Sequence, residues 1–168
     1  HEIEKRQLNH LYVKILMGTL LVRALDGFAY LLLVGSTLVM VISILLQVFF
    51  RYVMNAPLYW SEEIARYAFV WLVFIGAAIA SKRGSHIGVD YVVMHLPEVP
   101  KNVLAIIVNL LVLFFISCVI YMSAGVIKSN MTQLSPAMRI PMGYIYMAIP
   151  IGLGISSVYI LISLGTAL

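Results

Sequence analysis

The chain has 168 residues, 62% of them hydrophobic and only 11% charged, with a formal net charge of +4. A soluble domain carries roughly 25% charged residues, so this composition, with its mean hydropathy of +1.02, excludes an ordinary water-soluble fold and places the chain in a lipid bilayer. The positive balance is not a nucleic-acid signature, because the basic residues are scattered between apolar runs and read better as topology signals.

Charge is absent from residues 29–50, 67–81, 103–127 and 140–168. A span needs about 20 apolar residues, so the second run reaches a full crossing only if it begins near Ser61. The expected fold is an all-α integral membrane protein with four transmembrane helices, at about 29–50, 61–81, 103–127 and 142–167. Lys5, Arg6, Lys14, Arg23, Lys82, Arg83 and Lys101 fall on one side, against Arg51, Arg66, Lys128 and Arg139 on the other. The positive-inside rule then puts both termini in the cytoplasm. Cys118, the single cysteine, lies in the third span and cannot form an intramolecular disulfide; its expected role is packing. The first apolar run is too long for the core of a cleaved signal peptide and reads as an uncleaved anchor.

Residues 1–27 carry Leu8, Leu11, Tyr12, Ile15 and Leu16 at helical spacing, interleaved with Lys5, Asn9, His10 and Lys14. This pattern predicts an amphipathic helix in the headgroup plane, a solvated anchor or a collar on a partner. Asp26-Gly27 would turn the chain into the four-helix domain, residues 28–168. In the first span Ser36, Met40, Ser43 and Gln47 share one face; Gln47 suits a helix contact, or alternatively a substrate contact.

Between spans one and two, Phe49, Phe50, Tyr52, Tyr59 and Trp60 form an interfacial aromatic belt beside Arg51, and Asn55-Ala56-Pro57 is turn chemistry. Ser61 can cap the next helix, and Glu62 and Glu63 suit its positive N-terminus. Glu62 and Arg66 are four apart, in the favourable order for an ion pair. The alternative use of these carboxylates is contact with a protein docking from outside. Within the span, Gly76 and Ala80 are small residues at helix-packing spacing. Arg83, Gly84, His86 and Asp90 follow. Arg83 can oppose the negative helix end and Gly84 can stop it. His86 and Asp90 suit a hydrogen-bonded pair; two ligands are too few for a structural zinc site, and no metal is expected.

The third span is uniform apart from Asn109, Ser117 and Ser123, which mark a packing face. The loop after it is short, polar and proline-punctuated, and includes Gln133 and Arg139. The last span contains Pro150, which predicts a kink, and Ala148, Gly152 and Ser156 spaced for close packing. No charge sits at mid-membrane in any span, no histidine pair brackets a haem, and no catalytic constellation is recognisable. The chain reads as a subunit, not an enzyme, with no cofactor.

Three segments carry a family resemblance. WSEEIARY (60–67) leading into WLVFIGAA (71–78), RGSHIGVD (83–90), and QLSPA (133–137) with IPMGY (140–144) resemble the small membrane subunit, DctQ type, of tripartite ATP-independent periplasmic (TRAP) transporters. Gly88 departs from the pattern, where a more polar residue is expected. The resemblance implies a multi-pass protein of the bacterial inner (cytoplasmic) membrane. Its implied partners are a large multi-span membrane subunit of DctM type and a periplasmic substrate-binding protein of DctP type. It further implies sodium-coupled uptake of organic acids such as C4-dicarboxylates or sialic acids, with the small subunit bracing an elevator-type partner. On this reading Gln47, Arg51, Trp60, Ser61, Glu62, Glu63, Arg66, Gly76, Ala80, Arg83, Gly84, His86 and Asp90 serve the large-subunit interface or the fold. Asn55, Pro57, Tyr59, Gln133 and Arg139 face the binding protein. Two other classes remain open from the residues: a small membrane anchor of a redox or quinone complex, and a self-sufficient small channel or exporter.

Overall fold

The computed structural model describes residues 2–82 and 98–167, with side chains at 20, 22–82, 106–162 and 164. The expected Arg83, Gly84, His86 and Asp90 lie outside the described residues. Among the described residues five helices follow in order: α1 (Glu2–Tyr52), α2 (Tyr59–Lys82), α3 (Glu98–Asn130), α4 (Gly143–Tyr146) and α5 (Ala148–Ala167). Among the described residues there is no named strand, only an isolated bridge between Leu134 and Pro141. Four stretches are long and apolar enough to cross a membrane: Val22–Tyr52, Tyr59–Lys82, Ile106–Asn130 and Gly143–Ile162.

The turn expected at Asp26-Gly27 is not made. α1 is one helix of 51 residues, about 76 Å long against a hydrocarbon core of about 30 Å. A lone helical glycine costs only about 1 kcal/mol relative to alanine, too little to break a helix otherwise well supplied with helix formers. Asp26, moreover, has side-chain partners on other helices. Where a kink is expected near Pro150, the helix is interrupted at Met147, between α4 and α5. Proline lacks the N–H that would bond to the carbonyl of Tyr146. The chain still follows a helical path there, because Met147 N–H donates to Gly143 O at 3.1 Å and Ile151 N–H to Met147 O at 3.3 Å.

α2 is the middle of the bundle. It packs against both α1 and α5, and α5 in turn packs against α3. The core gathers Ala29 of α1, Ile75, Ala78 and Ile79 of α2, and Ile155 and Tyr159 of α5. Small residues set the α2–α5 distance. A Cβ on Gly152 would fall 2.7 Å from the Phe74 carbonyl oxygen, closer than atoms approach. Ala148, Gly152 and Ser156 are all buried. Gly76 packs beside Leu33 of α1, while Ala80, four residues on, is exposed. Ile75, Ala78 and Ile79 make the α2 core face instead.

Candidate functional site: two polar clamps on a membrane bundle

At one end of the bundle α2 holds the loop that joins α3 to α4. This loop is a narrow hairpin. Met142 N–H donates to Gln133 O at 2.8 Å, and Ser135 N–H to Ile140 O at 2.9 Å. A single turn, closed by Arg139 N–H to Ser135 O at 3.1 Å, fills its tip. Arg139 leaves that turn with φ 54, a left-handed conformation that non-glycine residues adopt at a cost. Buried Ser135 accepts a hydrogen bond from Ile140 N–H at 3.1 Å on its hydroxyl.

The tip turn aims two backbone N–H groups at α2, and Glu63 receives both. Ala137 N–H and Met138 N–H donate to Glu63 Oε2 at 3.1 and 2.8 Å. Tyr67 O–H, one turn further along α2, donates to Glu63 Oε1 at 2.5 Å. Glu63 is only 8% exposed. A carboxylate in this setting must fill its acceptor sites from the protein, and three donors do so. Two of the segments that resemble the family, WSEEIARY and QLSPA–IPMGY, thus meet through one side chain.

The opposite end has its own clamp. Asp26 of α1 is ion-paired with Lys82 at the end of α2, through Lys82 Nζ and Asp26 Oδ2. Tyr159 O–H of α5 donates to Asp26 Oδ1 at 2.8 Å. The Lys82 ammonium also lies 5.7 Å from the Tyr159 ring centroid, a cation–π distance. Three helices are therefore joined by one carboxylate. Sequence reasoning missed Asp26, Tyr159, Tyr67 and Ser135. The available signals were a lone acid at the edge of an apolar run and a lone tyrosine in the most apolar helix. We expect Asp26→Asn and Tyr159→Phe to destabilise the chain by about 1 kcal/mol each and to couple by a similar amount in a double-mutant cycle of detergent unfolding.

The remaining expected residues fall as follows. Glu62 and Arg66 form the expected i,i+4 ion pair at 2.9 Å, fully at the surface; such a pair contributes about 0.3–0.5 kcal/mol. Ser61 is not the N-cap. The helix begins two residues earlier, at Tyr59, and the buried Ser61 hydroxyl donates back to Leu58 O at 2.7 Å. Gln47 is half-buried on the same face as buried Ser43. Arg51 lies over the Tyr52 ring at 5.8 Å. Trp60 is exposed, as are Asn55, Pro57, Tyr59, Gln133 and Arg139. Asn55 closes its turn with φ 51, a conformation that asparagine tolerates. An open apolar groove of about 380 Å³ runs between α1 and α2, lined by Leu31, Gly35, Val39, Ile64 and Trp71 and capped by Met138 of the hairpin. Among the described residues no three His, Cys, Asp or Glu side chains gather as metal ligands.

Four apolar crossings, a clamp at each end and close-packed helix faces define a multi-pass helical membrane protein. The chain belongs to the DctQ component family of tripartite ATP-independent periplasmic transporters, whose profile matches residues 40–168. It is a multi-pass protein of the bacterial inner membrane. It is 32% identical over 109 residues to a putative TRAP transporter small permease protein of Haemophilus influenzae, covering 65% of this chain and 68% of that one. It is 31% identical over 137 residues to the isethionate TRAP transporter permease protein DctMQ of Oleidesulfovibrio alaskensis, covering 77% of this chain but 22% of that protein. The sialic acid TRAP transporter small permease protein SiaQ of Vibrio cholerae is 36% identical over 74 residues, 44% of this chain and 43% of SiaQ.

Proposed function

We propose that this chain is the small permease subunit of a sodium-coupled, binding-protein-dependent transporter for organic acids. It braces the fixed part of a large elevator-type permease and helps seat a periplasmic substrate-binding protein. One observation carries the second role: Glu63 fixes the 133–142 hairpin to α2 from beneath, while Gln133 and Arg139 stay exposed. A loop held by its backbone leaves its outer side chains free for a partner. The exposed loop 53–58, with Asn55 and Pro57, lies at the same end of α2. The substrate classes named for relatives are isethionate, sialic acid and C4-dicarboxylates, and an organic anion is the common chemistry.

The reading is tested by reconstitution. The chain and its large subunit, placed in proteoliposomes, should take up an organic acid only with the binding protein outside and a sodium gradient. Either subunit alone should give no uptake. Arg139→Glu and Glu62→Lys should each weaken binding-protein docking several-fold at low ionic strength, with less effect at high salt, and leave co-purification of the two membrane subunits unchanged. Unaltered docking in both variants would remove these loops from the docking surface.

A further inference from the structure

The two marginal helices of the bundle show different outward faces. Between residues 31 and 48 the exposed large residues of α1 are aliphatic, among them Val34, Leu38, Val41, Ile42, Leu45 and Val48, with the exposed rings of Phe28, Tyr30 and Phe49 toward its ends. α3 also exposes aliphatic Leu110, Leu111 and Val126, but adds Phe114, Phe115, Tyr121 and Met122, with Ser117 and Cys118 between them. It buries only a narrow line, which includes Ile116 and Ser123, toward the rest of the bundle. Phe114, Cys118, Tyr121, Met122 and Gly125 repeat at i, i+4, i+7, i+8 and i+11, so they share one face. A Cβ on Gly125 would meet nothing within 4 Å, so that face has ridges of aromatic rings beside a shallow recess.

Tyr121 distinguishes this face from one made for lipid. It is 84% exposed and its hydroxyl makes no hydrogen bond among the described residues. The uncharged run 103–127 is centred on residue 115, so Tyr121 stands about 9 Å from mid-depth along the axis, inside a hydrocarbon half-thickness of about 15 Å. Helical side chains lean toward the N-terminus, which here carries the phenol toward the middle of the bilayer, not toward the nearer surface. Tyrosine at a lipid boundary keeps its hydroxyl at the headgroups. Within the hydrocarbon the hydroxyl has no partner, and a polar side chain there faces another helix.

We propose that the Phe114–Tyr121–Gly125 face of α3 is where the large permease docks, through an apolar membrane helix presenting a hydrogen-bond acceptor to Tyr121. This rests on the proposed pairing with a large permease, and it adds which face is used. Aromatic residues and methionine are enriched where proteins meet, and small residues let helix backbones approach.

The test uses the co-purified complex of both membrane subunits. Benzoylphenylalanine replacing Phe114 or Tyr121 should cross-link the chain to the large subunit on irradiation. Tyr121→Phe, which keeps the ring, should speed loss of the large subunit on detergent dilution by about three- to tenfold. Cross-linking only to lipid, or only to a second copy of this chain, in a complex that still co-purifies would overturn the assignment of the face and leave the pairing intact. Failure of the unsubstituted subunits to co-purify would overturn both.

Discussion

Replacing Glu63 with alanine is expected to give the largest loss of stability of any single polar substitution in the described chain, about 3–5 kcal/mol. The change removes one acceptor group and strands three donors: the N–H groups of Ala137 and Met138 and the hydroxyl of Tyr67. Hydrogen bonds to a charged group contribute about 1.5–3 kcal/mol each, and a buried donor left unpaired adds its desolvation cost. The shared geometry keeps the total below a simple sum. Glu63→Gln retains the shape and one acceptor oxygen, but its NH₂ must face either the hairpin amides or the tyrosine hydroxyl. It should cost about half as much. Thermal unfolding in detergent gives the ranking, and protease cleavage within 133–142 should rise in both variants because the hairpin loses its anchor. Equal stability of wild type and Glu63→Ala would mean that the hairpin holds itself.

The second large effect is steric. Gly152→Ala should destabilise the α2–α5 contact by about 2 kcal/mol, and Gly152→Val by more. The new Cβ would meet the Phe74 backbone oxygen at 2.7 Å and the Phe74 Cβ at 2.8 Å. Backbone cannot swing aside as a flexible side chain does, so relief requires separating the two helices along their length. Gly154→Ala is the matched control, since a Cβ there meets nothing within 4 Å. Unfolding midpoints of the two variants in the same detergent decide the matter, and similar midpoints would contradict the close approach.

Hydropathy alone made the four crossings legible, because an uncharged run of sufficient length has few alternatives in the bilayer. The Glu62–Arg66 pair was legible for a similar reason: i,i+4 neighbours on a helix must meet. The interruption at Met147 is in keeping with the N–H that Pro150 lacks. The clamps were not legible. Glu63 finds backbone N–H groups 74 and 75 residues away, and any residue type could supply those. Asp26 and Tyr159 are 133 residues apart, so their encounter depends on how the helices assemble. The same ignorance produced the false turn at Asp26-Gly27. Aspartate beside glycine is a turn signal in isolation, yet this aspartate is occupied by two other helices. Ser61 failed as a cap because the aromatic residues before it were already helical.

The main contacts run α1 to α2, α2 to α5 and α5 to α3, and the Asp26–Tyr159 hydrogen bond adds a direct tie between α1 and α5. α1, α2 and α5 thus form a triangle around one shared core, with α3 attached through α5. A triangle of struts resists shear where a single row would fold, so a sideways load on any one of the three passes to the other two. Cutting the tie at Asp26 would open one side of that triangle and leave α1 held chiefly by α2, even with every crossing still in place.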